Sequence, residues 1–199
     1  NNLMNNNLVT RPPKRTPKII SQRIKHILKD KVVCELGCAE GDNLRLMKKY
    51  AKRVIGLDIN PKRLSFAKQR NLEVKICDYR IEPIPEANIY YFWPSNSFRD
   101  TPYLIWKLIS KSNHRRVIIF GCDNAVINDR LISYIYSIFS RRLTFRYNEG
   151  PGYRENGFFS INILYTTDIF FYNKMILFLL TILLRLIAYI SHRIKLYFK

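Results

Sequence analysis

Acidic residues are few in this chain relative to basic ones. Its 34 Lys and Arg outnumber 15 Asp and Glu, for a formal charge of +19. Two stretches hold no acid at all: residues 1–29, with seven Lys/Arg, and residues 169–199, with five. Such basic ends suit an anionic partner, either nucleic acid or an anionic membrane surface. Cysteine is scarce too, at Cys34, Cys38, Cys77 and Cys122. No third cysteine joins Cys34 and Cys38 in an iron–sulfur triplet, and no Cys/His set has zinc-ligand spacing, so no metal is expected. The thiols read as reduced and structural, in a cytosol-like compartment. The histidines, His26, His114 and His192, are scattered and supply no general base. The stretch Asn1–Pro17 lacks the apolar core of a secretory signal peptide.

What is present is organised around Val32-Val33-Cys34-Glu35-Leu36-Gly37-Cys38-Ala39-Glu40-Gly41-Asp42. An apolar run ends in an acid, turns through two glycines and opens a helix at Asp42. Open α/β sheets deliver ligand-binding loops to their carboxyl edge in this way. Glycine lets the backbone turn tightly and come close to a ligand. A dinucleotide fingerprint would want glycines at the places of Gly37, Ala39 and Asp42, with a pyrophosphate on the helix N-terminus. Glu35, Glu40 and Asp42 would repel that pyrophosphate. The acids suit a cationic, phosphate-free ligand instead, which disfavours a nicotinamide-dependent oxidoreductase.

The 199 residues fit one domain with a full core and appendages. The expected division is a disordered basic arm over 1–17, a catalytic domain over 18–167 and an apolar, amphipathic helix over 168–199. The arm is Asn-rich and then runs Arg11-Pro12-Pro13-Lys14-Arg15-Thr16-Pro17, whose prolines forbid a helix. A leading helix follows, with Ile20, Ile24, Ile27 and Leu28 at helical spacing. Beyond the glycine turn the pattern predicts a helix over 42–52 capped by Asp42 and a strand over 53–58. A helix opened by Pro61 follows and runs to about Arg70, then a strand over 72–78. Next come a strand over 87–93, a helix over 100–111, a strand over 116–120 and a helix over 124–140. Strands over 142–147 and 158–165 then follow with no helix between them. Alternating strands and helices predict a parallel sheet covered on both faces, and the closing pair predicts an antiparallel hairpin at one edge.

Three strands in succession end in acids: Glu35, Asp58 and Asp78. Asp58 lies 21 residues beyond Gly37, near the spacing of about 20 at which an acid on the second strand holds a ribose. Acids at strand ends also cap turns.

The glycine turn, the acid-ended strands and the hairpin ending together resemble class I S-adenosylmethionine-dependent methyltransferases, over roughly residues 18–166. One departure is Ala39, which stands where the family's central glycine usually is. The resemblance implies a Rossmann-like, doubly wound seven-stranded sheet and S-adenosylmethionine as cofactor. It carries cofactor binding onto Glu35, Gly37, Cys38, Ala39, Gly41, Asp58, Ile59, Asp78 and Tyr79. Asp58 would accept the ribose hydroxyls, Ile59 would pack on the adenine and Asp78 would take its amino group. The end of the fourth strand would meet the substrate through Trp93, Pro94 and Asn96. With one proline there, the match to enzymes that methylate nucleobase amines is poor.

The tail is particular to this chain. Lys174, Thr181, Arg185, Ala188, His192, Lys195 and Lys199 fall on one stripe of a helix, with Leu, Ile, Phe and Tyr over most of the rest. A spanning helix needs about 20 predominantly apolar residues, and Arg185 interrupts this one. The expectation is a helix lying in the plane of an anionic membrane on its cytosolic face. The function expected is therefore methyl transfer by a cytoplasmic, membrane-associated enzyme. The acceptor stays open between protein, small molecule and RNA. The alternative is a catalytically weak or inactive module of the same fold that binds RNA through its basic surface.

Overall fold

The computed structural model describes residues 22–93, 97–110, 116–123, 141–147 and 157–165, together with residues 176, 178, 179, 182, 183 and 186. In chain order the elements are α1 (Lys25–Leu28), β1 (Val32–Leu36), α2 (Asp42–Met47), β2 (Arg53–Asp58), α3 (Pro61–Gln69) and β3 (Val74–Ile76). They continue with β4 (Ile89–Phe92), α4 (Ser97–Ser110), β5 (Val117–Asp123), β6 (Arg141–Tyr147) and β7 (Gly157–Tyr165). The seven strands form one sheet in the order β3-β2-β1-β4-β5-β7-β6. The first five run parallel, while β7 is antiparallel to both β5 and β6.

Alternation along the buried strands sends side chains to two layers. On one face Cys34, Leu36, Tyr90, Phe92, Ile118 and Phe120 meet Leu104, Ile105, Leu108 and Ile109 of α4. On the other, Val33, Ile89, Tyr91 and Ile119 meet Leu44 and Met47 of α2 and Leu64 and Ala67 of α3, with Ile24 and Leu28 at the leading helix. The β1 register pairs Leu36 with Leu57 and with Phe92, and β2 pairs Asp58 with Ile76. The residues that follow each of these strands therefore emerge side by side at one carboxyl edge.

Several boundaries differ from the sequence reading. The helix after the glycine turn ends at Met47, and its N-cap is Gly41, in the left-handed region, not Asp42. The Asp42 carboxylate is instead held by Arg70 Nη1 at 2.8 Å. Strand β3 shrinks to three residues with a half-buried and two exposed positions, because it is an edge strand with little apolar surface to cover. Helix α4 starts at Ser97, so Pro102 sits in its second turn. The following turns are held by the buried Leu104, Ile105, Leu108 and Ile109. Pro61 does open α3 at its first position, under an Asn60 side chain that accepts from Lys62 N and Arg63 N. The basic arm, the helix expected over 124–140 and the link between the closing strands lie outside the described residues. Of the tail, Ile176, Phe178, Leu179, Ile182, Leu183 and Leu186 are described, and all six are helical. Among the described residues no helix is long and apolar enough to cross a membrane.

Candidate functional site

The turn after β1 is tied to the neighbouring strand by backbone bonds. Gly37 N and Cys38 N both donate to Leu57 O, at 2.8 and 2.9 Å, and Gly41 N closes the loop onto Cys38 O at 2.9 Å. Three of its residues take left-handed backbone angles: Gly37 and Gly41 at φ +78° and Ala39 at φ +49°. Glycine meets that demand at no steric penalty. At Ala39 the left-handed backbone costs roughly 1–2 kcal/mol. A Cβ on Gly41 would also fall 2.5 Å from Leu72 Cδ1, where α2 crowds against the end of α3.

Asp58 ends β2 beside this turn. Its Oδ2 accepts Ala39 N at 2.8 Å and its Oδ1 accepts Asn60 N at 2.8 Å. One carboxylate thus shapes both the glycine turn and the turn into α3, and each oxygen keeps a lone pair for a ligand. Glu35, one residue before the end of β1, is only 2% exposed. Asn43 Nδ2 donates to its Oε1 at 2.7 Å, while Oε2 is buried without a hydrogen-bond partner. Burial pushes the Glu35 carboxyl up to about 8, with the charges of Asp58 and Asp42 adding to the effect and the Asn43 bond and the nearby Leu44 backbone N–H opposing it. Loss of its proton leaves a buried anion beside two other acids, an arrangement relieved by a cation.

Beyond β3 the chain makes a compact loop. Ile81 N and Glu82 N donate to Asp78 O, at 3.0 and 2.8 Å, and Asp78 N donates back to Glu82 Oε1 at 2.7 Å. Arg80 grips the Asp78 carboxylate with Nε at 2.8 Å and Nη2 at 2.7 Å, which holds its pKa below the usual carboxylate range. Tyr79 lies over the turn, its hydroxyl 3.7 Å from where a Gly37 Cβ would be. Ile59 stands half exposed beyond β2.

The structure therefore brings Glu35, Gly37, Ala39, Gly41, Asp58, Ile59, Asp78 and Tyr79 to one edge. Cys38 is on the turn, but its sulfur packs on Gly56, where a Cβ would sit 2.6 Å away; burial raises its thiol pKa. Trp93 follows β4 and its ring lies beside Gly121, where a Cβ would fall 2.0 Å from Cε3. It packs against the core layer on the α2–α3 face. Pro94 and Asn96 lie outside the described residues. Asn43, Arg80 and Lys107 are members of this region that sequence reasoning missed. Lys107 left a signal, as a lone cation in the apolar run from Leu104 to Ile109.

A family model described as a methyltransferase domain matches residues 34–98, from β1 to the start of α4. No curated protein matches the sequence. Among solved structures, the chain resembles the N-methyltransferase NodS of Bradyrhizobium japonicum WM9, in complex with S-adenosyl-L-homocysteine. That match has 14% identity and a TM-score of 0.58, over 79% of this chain and 90% of that one. A precorrin-6y C5,15-methyltransferase from Geobacter metallireducens matches at 12% identity and TM-score 0.57, over 77% and 92%. A putative RNA methyltransferase from Pyrococcus horikoshii matches at 18% and 0.56, over 76% and 85%. At such identities the likeness is one of fold. The matched segment spans the first four strands of the sheet, and the arrangement of the described strands is the one shared with these methyltransferase structures.

Proposed function

We propose that this chain, a methyltransferase by its matched domain and its class I fold, works on an acceptor at an anionic membrane surface with S-adenosylmethionine as cofactor. The observation that carries the cofactor is Glu35, a buried carboxyl with one oxygen unpartnered beside two acids and a left-handed glycine turn. A cofactor bearing a sulfonium and an ammonium, and no phosphate, suits that electrostatics; a dinucleotide does not. When bound, it supplies a methyl group made electrophilic by the sulfonium. The chain's part is to bind and orient. Glu35 compensates positive charge, Asp58 offers lone pairs to two hydroxyls, and the turn between Gly37 and Gly41 keeps side chains out of the way. Alignment of the two reactants supplies much of the acceleration in such a transfer.

The membrane part of the reading is supported by the tail. Ile176, Leu179, Leu183 and Leu186 are 36–56% exposed. At helical spacing they fall opposite the stripe of Lys174, Thr181, Arg185, His192, Lys195 and Lys199. Phe178, at the flank, meets Trp106 of α4 with ring centroids 5.0 Å apart. An outward apolar face, in a stretch of sequence whose charged residues are all basic, complements an anionic bilayer lying against it.

Transfer of a radiolabelled methyl group from S-adenosylmethionine into fractionated lysate tests the reading. Label in a membrane-fraction lipid or protein supports it. Label confined to soluble RNA overturns the membrane part. Salt-sensitive RNA binding with no label anywhere favours the inactive RNA-binding module.

A further inference from the structure

Lys107 sits where a lysine has no reason to be unless its ammonium is used. Its neighbours on α4, Leu104, Ile105, Leu108 and Ile109, are core residues, and Lys107 itself is 9% exposed. A buried ammonium needs an acceptor for each of its three N–H groups. Lys107 Nζ donates to Tyr79 O at 2.7 Å, to Glu82 O at 2.8 Å and to Arg80 O at 3.2 Å. One turn earlier on the same helix, the Tyr103 hydroxyl donates to Arg80 O at 3.2 Å. All four bonds end on one loop, the one that carries Asp78 and Tyr79. Inside that loop the chain is anchored chiefly on Asp78 itself, through Ile81 N, Glu82 N and the Arg80 guanidinium.

We propose that Lys107 is a positioning residue for recognition of the cofactor's base: from α4 it fixes the loop so that Asp78 faces the exocyclic amino group of an adenine. This rests on the reading that S-adenosylmethionine occupies this edge. The ammonium acts through three carbonyls and touches no ligand. It sets where the Asp78 carboxylate stands relative to the Gly37 turn, which Tyr79 bridges by covering Gly37. A lysine that served stability alone would influence melting of the domain. A lysine that aims Asp78 also governs discrimination between an amino group and an oxygen at the same place on the base, because a polar site built for one partner rejects the other.

The test is calorimetry on the full chain with S-adenosylhomocysteine and with S-inosylhomocysteine, which carries an oxygen in place of the amino group. Wild type should prefer the adenosyl ligand by about tenfold or more. Lys107→Met, which keeps the stem and removes the donors, should weaken S-adenosylhomocysteine binding by about tenfold and bring the two ligands within about threefold of each other. Lys107→Arg should restore the preference. If Lys107→Met does not melt cooperatively, Lys107→Gln, which keeps a donor, should still narrow the preference. An unchanged preference in the folded variants, whatever their melting temperatures, overturns the proposal. So does a wild type that binds both ligands equally, since Asp78 then reads nothing. A wild type that binds neither ligand counts against the cofactor reading and not against the clamp.

Discussion

The Asp58 carboxylate accepts the Ala39 backbone N–H at 2.8 Å, so the acid that ends the second strand also holds the glycine turn in shape. With its other oxygen on Asn60 N, it shapes two turns and still has lone pairs for a ribose. Turn-making by this side chain therefore leaves it able to accept from a ligand as well.

Asp58→Ala should therefore show two losses. Two backbone N–H groups lose their acceptor, which should lower stability by about 1–3 kcal/mol. Affinity for S-adenosylhomocysteine should fall by on the order of 2 kcal/mol as the hydroxyl acceptor goes. Thermal melting and calorimetry read the two separately, and unchanged affinity in a destabilised protein would leave Asp58 a turn residue only.

Glu35 should make ligand binding depend on pH. Its folded pKa, about 8, lies above the ordinary 4.5. The neutral form is thus favoured by folding: its stabilising contribution is complete below about 4.5 and is lost as pH rises through about 8. A cationic ligand favours the ionised form, so below that value binding must release a proton. Affinity should rise with pH, by up to about tenfold per unit, and level off above about 8. Glu35→Gln keeps an acceptor for Asn43 and removes the titration. It should flatten the profile, weaken binding at pH 8.5 and melt no lower than wild type at that pH.

Ala39 tests the departure from the family's glycine pattern. Ala39→Gly relieves roughly 1–2 kcal/mol of left-handed backbone cost and adds about 0.4–1 kcal/mol of unfolded-state entropy. The net should be a gain of up to about 1.6 kcal/mol. Ala39→Val, β-branched at a positive φ, should destabilise clearly. A melt in which the valine variant equals wild type would mean the turn relaxes to another conformation.

The tail should bind anionic vesicles through its outward apolar face. Leu179 and Leu183 are 56% and 53% exposed, so Leu179→Asp with Leu183→Asp should leave the domain folded and abolish sedimentation with phosphatidylserine vesicles. Arg185→Glu with Lys195→Glu should weaken it, as should high salt in wild type, since each cation near the surface contributes about 1 kcal/mol. Sedimentation unaffected by either pair would assign the tail to a protein partner.

The order of strands and helices was legible because buried parallel strands read as short apolar runs and each ends in a marked residue: Glu35 within a residue of the turn, Asp58, and Trp93 after β4. Element ends were less legible. Asp42 looked like a cap by residue type, but Gly41 takes the cap position because its left-handed backbone leads into α2. The edge strand β3 lost residues at both ends, since propensity there is not backed by burial. The site's partners were the least visible. That Asn43 bonds Glu35 across the turn, or that Lys107 reaches three carbonyls some 25 residues upstream, depends on how helices dock, which residue spacing does not encode. The packing of the Trp93 ring beside Gly121 was equally invisible, since Gly121 carries no mark in the sequence.

Titration calorimetry of the full chain with S-adenosylhomocysteine, and separately with NAD, tests the central claim most directly. The account predicts one site of micromolar affinity for S-adenosylhomocysteine, weakened by Asp58→Ala, and no heat from NAD. Binding of NAD, or no binding of S-adenosylhomocysteine by folded protein, would contradict it.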